Sequence, residues 1–309
     1  MVMLFCVYID LSGSRMSKII AGSGSAALAA KIATELKWPL LDSNINRFGD
    51  GEISISIDDS LEDQDVYIIQ STASPVNDNL IELLLIADGA KRAQVRSITA
   101  VMAYFGYGRA DRQVARNGAV AAQCVASMLE NAGISYAISV DLHSVATESF
   151  FKIPLYNISP AETLAALIGT HDCVIISPDA GGEARAARVA ALLARPCFLI
   201  NKERDASGKC AAKNISGDVR GKICCIIDDI IDSGDTLCLA AELLIANGAA
   251  EVVAYVTHGV LSGDACARID ASPLKLLYIS DSIAYDSSSD KIKIFSIAKI
   301  LAKQIRAIS

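Results

Sequence analysis

The 309-residue chain lacks a basic excess: 28 Lys and Arg stand against 35 Asp and Glu, for a net charge of −7. A general nucleic-acid binder is normally basic, so no nucleic-acid partner is expected, and any anionic substrate has to be held by a local site rather than by a global field. The nine cysteines include no C-x-x-C pair, and Cys224-Cys225 lie within an apolar run. An odd count without a pairing framework reads as buried free thiols in a reducing, cytoplasmic setting. No apolar stretch reaches the ~20 residues of a membrane span, so no membrane partner is expected either. The opening MVMLFCVYIDLSGSR starts without the basic residue of a signal peptide, and Asp10 closes its apolar run. A strand-like SKIIAG follows Met16 at once, so 1–15 reads as an extension or a misplaced start outside the fold.

The chain is 52% hydrophobic and 20% charged. That is enough to bury sizeable cores, and the length fits two domains better than one. Short apolar runs read as strands: VYIIQS (66–71), ITAVMAYF (98–105), YAISVDL (136–142), VIISPD (174–179), CFLIN (197–201), ICCIIDD (223–229), VVAYVTH (252–258) and LKLLYIS (274–280). Stretches with helical apolar spacing, such as VNDNLIELLLIADGAKRA and DTLCLAAELLIANGAA, lie between most of them. This alternation predicts an α/β protein whose mostly parallel sheets are covered by helices on both faces. The pattern also repeats. The segment near 65–105 resembles that near 222–258, with Asp88-Gly89-Ala90 matching Asn247-Gly248-Ala249 at an expected helix C-terminus. Two tandem α/β units follow, 16–157 and 158–309.

The chemistry concentrates in IIDDIIDSGDTL (226–237). Asp228 and Asp229 close an apolar run, and Asp232, Ser233, Gly234, Asp235 and Thr236 form a small-residue turn before a helix. In open parallel sheets ligands bind beyond the carboxyl ends of strands. Backbone N–H groups, hydroxyls and a helix N-terminus suit a phosphate there. Carboxylates repel phosphate but suit sugar hydroxyls or Mg²⁺. Acids beside a phosphate turn therefore point to one ligand carrying both a phosphate and a polyol, a sugar phosphate; the bland alternative is a solvated acidic loop.

This stretch resembles the phosphoribosyl-diphosphate signature of the phosphoribosyltransferase superfamily. RFGDGE (47–52), QSTASPVNDNLIELL (70–84), YFGYGRADR (104–112), VDLHS (140–144), SPDAGGEARA (177–186) and THGVLSG (257–263) occur in order with it. Together they resemble the ribose-phosphate diphosphokinase family over roughly 16–305. The resemblance implies two tandem phosphoribosyltransferase-like domains, each a mostly parallel sheet flanked by helices. It implies transfer of the β,γ-diphosphoryl group of ATP to the C1 hydroxyl of ribose 5-phosphate. Asp228 and Asp229 would take the ribose hydroxyls, and Asp232, Ser233, Gly234, Asp235 and Thr236 the 5-phosphate. Lys202 and Arg204, in the lid-like loop NKERDASGK, would carry catalysis. His143 and Asp179 would be ligands of Mg²⁺, with Asp141 placed to orient the histidine ring. Gly181-Gly182 would admit the diphosphate, with Arg185 nearby. Phe48, Asp50, Gly51, Glu52, Arg109, Ala110 and Asp111 would bind ATP. In that family the 47–52 loop reaches a neighbouring subunit, which implies a homo-oligomer with a shared ATP site.

Several positions depart from the family pattern. Ala110 stands where glutamine is usual, Asp235 where glycine is common in the phosphate turn, and Gly259 where proline usually follows T-H. Asp235 has to turn its carboxylate away from the phosphate or weaken it. Leu61-Glu62 occupies a region where relatives carry an arginine, and the serine-containing C-terminal tail is missing; weak or absent phosphate activation and ADP allosteric inhibition are expected. Two other functions compete with an active synthase. A non-catalytic nucleotide-binding partner subunit would accommodate Ala110 and Asp235 but would be free to lose Lys202 and Arg204. A phosphoribosyltransferase would need one such unit and neither RFGDGE nor VDLHS.

Overall fold

The structure, a computed structural model, describes residues 17–41, 43–57, 60–204, 210–286 and 289–309, with backbone alone at 202–204 and 210–213. The first half contributes β1 (Ser17–Ala21), α1 (Ala26–Leu36), β2 (Leu40–Leu41), β3 (Ser43–Arg47), β4 (Ile53–Ile57), β5 (Asp65–Ile69), α2 (Val76–Arg92), β6 (Ser97–Met102), α3 (Ala121–Asn131), β7 (Tyr136–Val140) and β8 (Leu155–Ile158). The second contributes α4 (Ala161–Ile168), β9 (Cys173–Ser177), α5 (Glu183–Leu193), β10 (Cys197–Arg204), β11 (Cys210–Ile215), β12 (Ile223–Ile231), α6 (Asp235–Ala246), β13 (Glu251–Gly259), α7 (Ala265–Ala271), β14 (Leu276–Ser280), β15 (Ile292–Phe295) and α8 (Ala298–Ile308).

Two large sheets result, ordered β2-β1-β5-β6-β7-β8 and β11-β10-β9-β12-β13-β14-β15, and β3 and β4 form a separate antiparallel pair. Within the two large sheets every pairing is parallel except β10 with β11. Parallel strands are covered on both faces, so their sequences are apolar throughout rather than alternating; all five residues of β9, CVIIS, are buried. One core runs through both halves. It joins Ile69 and Val140 of the first sheet to Ile175 and Ile227 of the second through Leu28, Ile32, Leu164, Val189, Leu301 and Ile305 of α1, α4, α5 and α8. The outer faces have their own cores, one under α2 and α3 and one under α6. Burial of apolar surface in the shared core holds the carboxyl ends of the two sheets in register.

Some expectations change. The expected matching glycines differ in role. Gly248 sits just past α6 at φ +87°, whereas Gly89 lies inside α2, which runs on to Arg92. The apolar run of β12 does not stop at its acids but continues through Asp228 and Asp229 to Ile231. The thiols are not uniformly buried: Cys173, Cys224, Cys225 and Cys238 are, but Cys124 is exposed. Gly259 is the last residue of β13 rather than a loosened turn, and a Cβ there would lie 2.6 Å from Ile279 Cδ1. Residues 1–15 lie outside the described residues.

Candidate active site

A cleft of about 930 Å³ opens where β7, β9 and β12 end, with the loop after β6 along one side. That size suits a small-molecule ligand. The residues that build it come from both halves of the chain. β12 carries Asp228 and Asp229 to the floor. Asp229 is 5% exposed and accepts a hydrogen bond from His143 Nδ1 at 2.7 Å, from the loop after β7. Arg185, in the first turn of α5, reaches three acids. Its Nε donates to Asp141 Oδ1 at 2.8 Å, and its Nη1 stands 3.5 Å from Asp229 Oδ1 and 4.0 Å from Asp228 Oδ1. Thr257 Oγ1 of β13 donates to the other oxygen of Asp141 at 2.5 Å. Asp141 has a left-handed backbone, φ +48°, an arrangement a non-glycine residue holds only when its surroundings fix it.

The charges are divided unequally. Burial raises the Asp228 carboxyl far above the usual range, and the negative Asp229 beside it adds to the rise. Burial also acts on Asp229, but the hydrogen bond from His143 and the guanidinium of Arg185 outweigh it and hold that carboxyl well below its ordinary value. His143 is raised in turn, chiefly by its bond to Asp229 and against its own desolvation. Two adjacent carboxyls in one dry site thus separate into an anion and a group that holds its proton more readily.

Past β12 the chain turns at Gly234, whose φ of +83° favours glycine, and enters α6 with its first amides toward the turn. Asp232 is held from two sides: Ser262 Oγ donates to its Oδ1, and Arg109 Nη1 to its Oδ2 at 2.5 Å. Its carboxyl is lowered by the Ser262 bond first and by Arg109 second. Asp235 accepts from Ser233 Oγ at 2.8 Å and pairs with Arg268 Nη1 of α7 at 2.9 Å. Across the cleft, Asp179 caps the short turn before α5, its Oδ1 accepting from the amides of Gly181 at 3.0 Å and Gly182 at 3.2 Å.

The cleft therefore brings together Asp228, Asp229, Asp232, Ser233, Gly234, Asp235, Thr236, His143, Asp179, Arg109 and Asp111. It does not bring in the 47–52 loop. Phe48, Asp50, Gly51 and Glu52 form the tip of the antiparallel β3–β4 hairpin, closed by Phe48 N–H to the Glu52 carbonyl at 2.8 Å, with Phe48 60% exposed. An ion pair from Arg47 to Asp78 of α2, 2.9 Å, ties down the base of that hairpin. Ala110 is not among the cleft-lining residues, although its neighbours Arg109, Asp111 and Arg112 are. Lys202 and Arg204 belong to β10, opposite Ala212 and Cys210 of β11. The start of the expected loop is thus a strand; its centre, 205–209, and the side chains of Lys202 and Arg204 lie outside the described residues. Asp229 orients His143 in place of the expected Asp141, and Asp141 holds Arg185. The sequence signals neither these contacts of Arg185 nor a place for Thr257, Ser262 and Arg268. Their partners are 30 to 116 residues away in sequence, and no local pattern signals such pairings.

A two-domain α/β protein of the phosphoribosyltransferase type is what this pair of parallel sheets and their acidic cleft define. Comparison with known proteins narrows the class. Residues 17–133 match a family model described as the N-terminal domain of ribose phosphate pyrophosphokinase, and residues 200–309 one described as the phosphoribosyl synthetase-associated domain. The chain is 41% identical to a ribose-phosphate pyrophosphokinase of Granulibacter bethesdensis, over 94% of this chain and 96% of that one. It is 40% identical to that of Brucella melitensis biotype 1, over 93% and 95%. The fold matches the crystal structure of phosphoribosylpyrophosphate synthetase from Mycobacterium smegmatis with a TM-score of 0.88 at 32% identity, covering 95% of this chain and 98% of that one. The chain belongs to the ribose-phosphate pyrophosphokinase family.

Proposed function

We propose that the protein transfers the diphosphoryl group of ATP to the C1 hydroxyl of ribose 5-phosphate, giving 5-phosphoribosyl 1-diphosphate and AMP for nucleotide biosynthesis. The observation that carries this reading is the single cleft in which an acidic strand end, Asp228-Asp229, adjoins a glycine turn that leads into a helix. Asp228 is the carboxyl set toward the ribose hydroxyls, while Asp229 is committed to His143 and Arg185 and holds the others in place. The turn Asp232 to Thr236 takes the 5-phosphate. Arg109 and Asp111 serve ATP, and so do Phe48, Asp50, Gly51 and Glu52, supplied by a neighbouring copy in a homo-oligomer, since their hairpin stands away from this cleft. The two domains are 16–157 and 158–309, a boundary one residue before β8 ends at Ile158.

The C1 oxygen bonds to the β-phosphorus and its hydroxyl proton is released to solvent as the bridge between the α- and β-phosphates breaks, and AMP leaves with the bridging oxygen. Catalysis of such a step is positioning and charge neutralisation. Lys202 and Arg204 supply the cationic part from the β10–β11 arm.

The donor set fits Mg²⁺. His143 has Nδ1 engaged by a carboxylate, which orients Nε2 as the ligand nitrogen, and Asp179 adds a carboxylate across the cleft. Among the described residues no cluster of three or more His, Cys, Asp or Glu side chains is arranged to hold a metal. Mg²⁺ keeps several of its waters and binds through one or two side chains plus substrate phosphates. When bound, Mg²⁺ neutralises charge on the triphosphate.

Among the described residues no helix is long and apolar enough to cross a membrane, and a cytoplasmic location accords with the reading. The alternative of a non-catalytic partner subunit loses one of its two supports, because the charge of Asp235 is already paired. The test is AMP release from ATP and Mg²⁺ with and without ribose 5-phosphate. Sugar-dependent AMP that disappears in Lys202→Ala supports the reading; AMP release indifferent to the sugar overturns it.

A further inference from the structure

The phosphate turn carries two carboxylates, and each has its own cation. Asp232 is paired by Arg109 from the first half of the chain, Asp235 by Arg268 from α7. The second pair is built into the turn itself. Arg268 Nη1 stands 2.9 Å from Asp235 Oδ1 and donates to the backbone carbonyl of Ser233 at 2.5 Å, so one guanidinium nitrogen grips both the turn and its acid. The other carboxylate oxygen of Asp235 takes the Ser233 hydroxyl. Both side chains are well exposed, 40% for Arg268 and 62% for Asp235, and a pair that open to solvent contributes little to folding. Its consequence is local charge at the place where an anion is to bind.

We propose that Arg268 is a positioning residue of the sugar-phosphate site. It neutralises Asp235 and keeps that carboxylate turned aside, so that a turn carrying an acid still accepts a phosphate. On binding, the Ser233 O–H passes from Asp235 to a phosphate oxygen, and Arg268 alone then balances the released carboxylate. The inference rests on the reading of 232–236 as the seat of the 5-phosphate and deepens it. It also explains how this chain tolerates Asp235.

Calorimetric titration of the full chain with ribose 5-phosphate tests it, with the steady-state KM values measured alongside. Arg268→Ala is expected to weaken sugar-phosphate binding about tenfold, equivalent to ~1.4 kcal/mol. KM for ribose 5-phosphate rises at least about threefold more than KM for ATP, and the loss shrinks in high salt. Arg268→Lys keeps most of the affinity. In an Asp235→Gly background Arg268→Ala costs less than about twofold, because the charge it balances is gone. Asp235→Asn, which leaves Arg268 in place, tightens binding about two- to fivefold and reads the same effect without disturbing α7. Wild-type protein that does not bind ribose 5-phosphate overturns the reading of the turn and the inference with it. Wild-type protein that binds, with Arg268→Ala equal to it or with the loss undiminished in Asp235→Gly, overturns the inference alone.

Discussion

Replacing Arg185 by methionine removes the cation from the middle of Asp141, Asp228 and Asp229 and keeps most of the side chain's length. The Arg185 side chain is 14% exposed and those of Asp141 and Asp229 are 11% and 8% exposed, so solvent screens these contacts weakly. At separations of 2.8 and 3.5 Å and an effective dielectric near 20, the attractions amount to roughly 6 and 5 kcal/mol before desolvation. Desolvation offsets much of this, and the net cost of orphaning buried acids is about 3–5 kcal/mol. Protonation limits the cost. Holding one aspartate neutral at pH 7 costs ~4 kcal/mol relative to its unfolded-state value, but only ~1.5 kcal/mol at pH 5. In the variant the raised folded-state value of Asp228 climbs further and the lowered value of Asp229 rises, since Arg185 opposes both changes, so the variant regains stability as pH falls and loses it as pH rises. Urea unfolding followed by fluorescence of Trp38, the single tryptophan, which packs against Tyr67, should show a loss of about 3–5 kcal/mol at pH 7.5 that narrows by at least ~1.5 kcal/mol at pH 5.5. A loss below ~1 kcal/mol, or one independent of pH, would refute the assignment of Arg185 as the charge that holds the site together.

Further outcomes follow from other contacts. His258 is buried between Ser282 Oγ at 2.8 Å and the Val140 carbonyl at 2.9 Å, and burial lowers its proton affinity against the opposing pull of Asp141 and Asp229; its contribution is full above ~pH 6.5 and is lost as pH falls from there toward its lowered value, so His258→Gln should have a flatter melting profile between pH 7 and 5 than wild type, and parallel profiles would count against it. Gly259→Ala places a methyl 2.6 Å from Ile279 Cδ1 and should cost about 1–3 kcal/mol, part of which returns in the Ile279→Val background that deletes that atom; no return would show that the strain lies elsewhere. The Arg109–Asp232 contact, at a half-exposed arginine, should give a coupling of only ~0.5–1 kcal/mol in a double-mutant cycle with Arg109→Met and Asp232→Asn, reduced in 0.5 M salt; a coupling above ~2 kcal/mol would mean the pair is structural rather than a contact across an open cleft.

The parts of this architecture that could be read from residues are those whose causes are local. β9 and β12 are apolar at nearly every position because both faces are covered, and the turn at Gly234 announces itself by small residues between an acidic strand end and a helix. The β3–β4 hairpin has no strand expectation although ISISI alternates strictly, because its partner SNINR is polar at all but Ile45 and the pairing depends on packing against α2. The β10–β11 arm reads as a loop because NKERDASGK is rich in Gly, Ser and Lys, yet backbone pairing makes its first part a strand. Asp88-Gly89-Ala90 looked like Asn247-Gly248-Ala249, but tertiary burial of Ala87 and Ala90 carries α2 past its glycine. Charge partners were the least legible. Whether His143 leans on Asp141, two residues away, or on Asp229, 86 residues away, depends on how the two sheets meet. The same holds for Arg185 and Arg268, whose roles exist only once α5 and α7 lie beside β12 and its turn.

Phosphorus-31 NMR of the protein with ATP, ribose 5-phosphate and Mg²⁺ tests the central claim most directly. Diphosphoryl transfer predicts loss of the ATP signals together with the appearance of AMP and of a diphosphate bonded to the anomeric carbon, in equal amounts. Formation of ADP with a singly phosphorylated C1, or ATP that stays intact beside unchanged sugar phosphate, would contradict it.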